Sequence, residues 1–211
     1  MTENKKINPN PAMKNQTEGV KTLLGEPKKA VMKLAVPMIL AMLIQTIYNL
    51  ADALWVSGLG ADALAAVGFV FPFFMMIMAL GTGIGLGSGS AISRKIGAED
   101  KTGADNVAAH SMILLFIIYI AFSIPLFIFA EPIFQALGTG ETLSLTVSYA
   151  QVIFIGALFI FFSNIANAIL RGEGDAKRAM YALALGSGLN IVLDPIFIYT
   201  LNMGVSGAAW A

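Results

Sequence analysis

The sequence predicts an all-α integral membrane protein. Hydrophobic residues make up 57% of the 211, and charged residues only 12%, half the roughly 25% of a soluble domain. Long apolar runs alternate with short polar segments, and each run is long enough to cross a bilayer. All 13 Lys and Arg fall in the segment before the first run or in every second segment after it. The absence of cysteine removes disulfides, thiolate metal sites and thiol nucleophiles. A single histidine, His110, removes any multi-histidine metal site. No cofactor, no metal and no enzymatic activity are expected.

Residues 1–33 are read as a polar cytoplasmic tail, disordered over about the first twenty. It carries Lys5, Lys6, Lys14, Lys21, Lys28, Lys29 and Lys33. These lysines are read as a solvated flank, not a nucleic-acid-binding arm. From Glu26, EPKKAVMKLAVPM has the character of an amphipathic helix start. The first apolar run is too long for the core of a secretory signal.

Residues 34–211 are expected to form one transmembrane bundle. The first span is predicted over about 34–56, a helix ~34 Å long against ~30 Å of hydrocarbon. In it Gln45, Tyr48, Asn49 and Asp52 recur at spacings of three and four. On a helix they form one polar stripe. Lipid cannot satisfy them, so they face other helices or a watery cavity.

The second span is predicted over about 66–93. It ends in GTGIGLGSGS, 81–90, which lacks the spacing of any phosphate cradle. Gly81, Gly85 and Gly89 lie four apart, the interval that lets two helix backbones touch. Phe71, Phe73, Phe74, Met75, Met76 and Met78 are read as packing or lipid-facing side chains, with an adaptable substrate surface as the alternative.

A polar loop is expected over 94–106, then a third span over about 107–129. His110 is read as an interfacial histidine, and Pro125 as a kink. A second loop is expected over 131–142 and a fourth span over about 145–170. Tyr149 and Gln151 stand near its start. Asn164 and Asn167 near its end are read as one polar face, either interhelical glue or ligand contact.

After a turn over 171–180, the fifth span is predicted over about 181–201. It contains LNIVLDPIFIY, 189–199. Asp194 puts a carboxylate in an apolar run, at a cost of about 3 kcal/mol on insertion scales, so a functional role is the default. Asn190, one turn earlier, shares its face. Pro195 donates no backbone hydrogen bond and is expected to kink the helix. A sixth span starts over 205–211, and the sequence is expected to end inside it.

Seven Lys precede the first span. Arg94, Lys95 and Lys101 lie between spans two and three, and Arg171, Lys177 and Arg178 between spans four and five. Positive charge is retained on the cytoplasmic side, so the N-terminus is expected there. Asp52 then lies ~27 Å along the axis beyond Leu34, and Asp194 ~24 Å beyond Arg178. Both fall in the outer half at similar depth, with Asn164 and Asn167 nearer the cytoplasm. Two carboxylates at one depth can take up a proton or share a cation. Either event changes local charge and biases a bundle with two packings.

The run AVPMILAMLIQTIYNLADALWVSGLGADALAAVG, the loop LRGEGDAKRAM, and LNIVLDPIFIY followed by GVSGAAWA resemble the multidrug and toxic compound extrusion (MATE) transporters, the DinF-like branch most. The resemblance covers about residues 22–211. It implies the N-terminal six-helix bundle of a twelve-helix transporter, with a C-terminal bundle of six as partner. It implies export of cationic or aromatic compounds across the plasma membrane, driven by inward proton or sodium flow. The cation site it implies carries over to Asp52, Asn190 and Asp194. Gln45, Tyr149, Asn164 and Asn167 match positions lining the same cavity.

Three alternatives place different demands on the same residues. A lipid-linked oligosaccharide flippase of related architecture needs cationic side chains in its cavity, whereas every Lys and Arg is assigned here to a loop. An intramembrane aspartyl enzyme needs Asp52 and Asp194 to share a water. A channel or assembly subunit would associate through the Gly81–Gly89 face.

Overall fold

The structure is a computed structural model and describes residues 18–211. Lys5, Lys6, Lys14 and most of the expected tail lie outside the described residues. Those described form helices and turns, with no strand. A short helix, α1 (Glu18–Leu23), precedes α2 (Pro27–Ser57) and α3 (Ala61–Gly97). Next comes α4 (Lys101–Ile118), which runs through a π turn (Tyr119–Ser123) into α5 (Ile124–Ile128). A short helix, α6 (Ala130–Ala136), and a 3-10 turn (Gly140–Thr142) lead into α7 (Leu143–Gly172). Finally α8 (Ala176–Pro195) passes into a second π turn (Ile196–Thr200), and α9 (Val205–Trp210) follows. Five of these helical stretches are long and apolar enough to span a membrane.

Two expected loops differ from expectation. The segment 94–106 is mostly helical, because α3 runs on to Gly97 and α4 restarts at Lys101. Asp100 makes that restart possible. Its carboxylate accepts from the Gly103 N–H at 2.8 Å, capping α4. It also accepts from Lys95 Nζ at 2.8 Å. The segment 131–142 holds α6, whose Phe134 is fully buried and meets the Phe73 ring edge-on at 5.4 Å. A side chain that apolar and that buried ties the segment to the core.

The buried core is drawn from α3, α4, α6 and α7, around Val70, Ile77, Leu115, Phe154, Phe161 and Ile165. It takes no residue from α2 or α8. Those two helices pack mainly on each other, while α3 packs most extensively on α7. The bundle is therefore a dense α3–α4–α7 unit with an α2–α8 pair laid against it. Much of the outer surface is apolar, including Met42, Leu50, Phe159 and Leu185. Such contiguous exposure fits lipid or protein contact, not water.

The α3–α7 contact depends on glycine. A Cβ on Gly85 would lie 3.1 Å from the Ala168 Cβ, and one on Gly89 would lie 2.9 Å from the Ala168 carbonyl oxygen. Ser93 donates across the same seam to the Gly172 carbonyl at 2.9 Å. α7 thus covers the glycine face proposed for association in the subunit reading. The alternate glycines Gly83 and Gly87 meet nothing within 4 Å.

Two prolines, Pro125 and Pro195, lie at changes of helix type, whereas Pro37 and Pro72 lie within unbroken α-helix. α8 ends at Pro195 and the next five residues form a π turn. The π turn at 119–123 sits just before Pro125. Proline removes one backbone donor, and a π turn re-registers the carbonyls left behind.

Candidate functional site

Every described Lys and Arg lies at one end of the bundle, called here the basic end. Several polar residues of α2, α7 and α8 lie in the seam between the α2–α8 pair and α7, Gln45, Asn167 and Arg171 among them. α7 faces this seam with Tyr149 and Asn167, which are 18 residues apart, or five full turns, and so share a face.

The far half of the seam is built around Asp194. Its side chain is fully buried, and neither carboxylate oxygen has a hydrogen-bond partner. The Asn190 Oδ1, one turn back on α8, is also buried and without a partner. Three buried acceptor oxygens, on side chains one helical turn apart, thus lack a donor. Buried acceptors left alone cost about 1–3 kcal/mol each, more when charged. A proton on the carboxylate or a cation between the oxygens removes that cost. Asp52 on α2 is half-buried and within electrostatic reach of Asp194. Tyr48, one turn before Asp52, and Tyr149 from α7 lie in reach of both carboxylates. Asp52 and Asp194 are therefore near enough to influence each other's charge.

Beyond this cluster the two helices are clasped. The Tyr199 hydroxyl, in the π turn, donates to the Trp55 carbonyl on α2 at 2.7 Å. The two rings meet edge-on with centroids 6.3 Å apart. The Trp55 indole N–H is buried without an acceptor. The sequence reading missed this clasp, although Tyr199 closes the very stretch that holds Asp194.

The remaining expected cavity residues divide. Gln45 and Asn167 line a small cavity near the basic end, between α2, α7 and α8. Asn49 is exposed on the surface of the chain, since it lies 100° around α2 from Tyr48. Asn164 and Asn167 do not share a face. Asn164 turns to α3, where its amide donates to the Ile160 carbonyl at 2.9 Å and approaches the Met78 sulfur at 3.9 Å. It packs over Gly81, so it acts between helices. Asn167 turns into the seam and accepts from Arg171 Nη1 at 2.9 Å.

Arg171 corrects the assignment of all cations to loops. It belongs to the last turn of α7 and lines the cavity with Gln45 and Asn167. The argument against a pyrophosphate-binding flippase loses that support. His110 lies at the basic end, where its Nδ1 contacts the Asn106 carbonyl oxygen at 2.7 Å. Among the described residues no cluster of His, Cys, Asp and Glu could hold a metal ion.

The MatE family model matches residues 37–196. The chain belongs to the MatE family. Among curated MatE relatives, a probable multidrug resistance protein, YpnP, of Bacillus subtilis is 30% identical over 189 residues, covering 89% of this chain and 42% of its own. The multidrug export protein MepA of Staphylococcus aureus is 34% identical over 186 residues, covering 86% and 41%. The chain therefore spans about two fifths of these relatives' length. Among solved structures, an outward-facing multidrug resistance MATE transporter superposes with a TM-score of 0.88 at 56% identity, covering 93% of this chain and 44% of that one. A transporter from Pyrococcus furiosus matches with the same TM-score, identity and coverage. That protein is described as having a binding pocket of reversed polarity that suggests a different function. The architecture is that of part of a MATE transporter, with five candidate spans, and the relatives point to a multi-pass membrane transporter, not to an enzyme.

Proposed function

We propose that the protein works as a cation-coupled multidrug efflux antiporter at the plasma membrane, exporting cationic or aromatic compounds. One observation carries this reading: the Asn190 and Asp194 oxygens, one turn apart on α8, are buried without a donor, with Asp52 within electrostatic reach. Such a group is stable in two states, protonated or cation-bound, and unstable in a third, bare and charged. Binding a proton or sodium ion from outside would neutralise it. The α2–α8 pair would then settle closer against the α3–α4–α7 unit. Losing the ion to the inside would loosen the seam. The thin packing between those two units supports such a movement, and the π turn after Pro195 supplies a deformable point next to the carboxylate. The positive-inside pattern supports a cytoplasmic basic end and N-terminus. A second six-helix bundle would complete the substrate cavity and give Asn49 a neighbour.

The test is efflux of ethidium from vesicles bearing the full-length gene product, under an imposed proton or sodium gradient. Asp194→Asn is expected to abolish gradient-driven efflux while membrane insertion is preserved. Wild-type efflux by that variant rejects the proposal.

A further inference from the structure

The geometry points to a binding site for an anionic group, a phosphate or carboxylate, in the basic half of the seam, centred on Arg171. This inference goes beyond the cation site and does not depend on it.

Arg171 is half-buried between α2, α7 and α8. A guanidinium taken out of water normally finds a carboxylate. No ion pair among the described residues involves Arg171. The nearest acids in sequence are engaged elsewhere or stand apart. Asp175 accepts from the Arg178 N–H at 3.1 Å and pairs with its side chain at 3.3 Å. Glu173 makes no ion pair with Arg171 in the described residues. Among the described residues the one side-chain partner of Arg171 is the Asn167 oxygen, which occupies Nη1 and leaves the other guanidinium N–H groups for a ligand.

The cavity wall is consistent with that ligand. Besides Arg171, its polar lining is Gln45 and Asn167, and no Asp or Glu contributes. Asn167 spends its oxygen on Arg171, so its amide nitrogen remains a donor. The first turn of α8, with Ala176 and Ala179, closes one side; its own N-terminus is capped by Asp175, so the guanidinium of Arg171 supplies the charge. Methionines 38, 42 and 180 supply an apolar, adaptable surround. The volume is about 100 Å³. That accommodates a phosphate or carboxylate group, but not a whole drug-sized molecule, whose pockets run to about 300–1,000 Å³. The seam is thus acceptor-lined at its far half and donor-lined at its basic half, along the same three helices.

A lipid headgroup and a free anion offer the same chemistry, so both are tested on the purified protein in detergent. The probes are dioctanoyl phosphatidylglycerol and inorganic phosphate, with dioctanoyl phosphatidylcholine as the net-neutral control. Calorimetry gives affinity, and phenylglyoxal labelling mapped by mass spectrometry reads the accessibility of Arg171 directly. Phosphatidylglycerol, or phosphate, is expected to protect Arg171 from labelling. Arg171→Gln is expected to weaken binding of the protecting probe at least tenfold, and Arg171→Lys less. Protection by phosphatidylglycerol alone assigns a lipid headgroup, and protection by phosphate assigns a free anion. Equal labelling with and without both probes overturns the proposal, even if Arg171→Gln fails to fold. Where phosphatidylglycerol is the protecting probe, phosphatidylcholine binding as tightly overturns it too. Cation uptake at Asp194 is not read by this assay, so either site can fail without the other.

Discussion

Replacing Gly89 and Gly87 in turn by alanine probes the α3–α7 seam with opposite expected signs. At Gly89 the new methyl would sit 2.9 Å from the Ala168 carbonyl oxygen. Across the seam, a Cβ on Gly172 would sit 2.8 Å from the Gly89 oxygen. Both obstacles are backbone, so relief requires the helices to part. Overpacking of this kind costs about 1–3 kcal/mol. Parting also stretches the Ser93–Gly172 hydrogen bond, whose loss adds about 0.5–1.5 kcal/mol. At Gly87 a methyl meets nothing within 4 Å, and the change gains up to about 1 kcal/mol of helix propensity. Both variants share that propensity gain, so their difference isolates packing. At about 2–4 °C per kcal/mol for a chain of this size, the overpacking cost alone separates the two midpoints by roughly 2–12 °C. Scanning fluorimetry of the purified protein reads it. Gly85→Ala, with contacts at 3.1 and 3.3 Å, is expected to fall between. Midpoints for Gly89→Ala at or above those for Gly87→Ala refute the packing assignment.

Further outcomes follow from the clasp and the basic end. Tyr199→Phe removes the bond to the Trp55 carbonyl. It is expected to cost about 0.5–1 kcal/mol and to speed hydrogen exchange at the far ends of α2 and α8. Slower or unchanged exchange there contradicts the clasp. The Lys95 ammonium and then the Gly103 N–H hold the Asp100 carboxyl below its usual range. A depressed value means that the cap stabilises α4 at neutral pH and loses this effect as pH falls through the lowered value. Exchange at Gly103, corrected for intrinsic rate, should rise on acidification in the wild type and show no such step in Asp100→Ala. At Gly19 a Cβ would meet the Glu173 oxygen and the Asp175 nitrogen at 2.7 Å. Gly19→Val is therefore expected to lift α1 off the α7–α8 turn and increase trypsin cleavage at Lys21. Unchanged cleavage argues that α1 does not dock there.

The burial of Asp194 was legible in the sequence because two constraints converged on it. A four-residue spacing placed Asn190 one turn away, and the cost of a carboxylate in lipid pointed the acid inward, where it is fully buried. The five spans were legible for the same reason, as apolar length is a strong signal. Features that depend on helix rotation were not. Asn164 and Asn167 are three apart, which leaves 60° between them, enough to send one to α3 and the other into the seam. Arg171 sits where a helix meets a turn, and only the packing of α7 decides whether such a side chain points to water or inward. The helix ends at 94–106 were hidden because charged residues there satisfy caps as readily as loops. α6 was hidden because Glu131 and Gln135 masked Phe134, the large side chain that with Ala130 anchors it.

Whether Asp194 takes up and releases a cation is tested most directly by infrared difference spectroscopy of the protein in lipid, recorded on a pH step and on sodium addition. The account predicts a carboxyl signal on at least one of these steps that disappears in Asp194→Asn. Difference spectra identical in wild type and variant would contradict it.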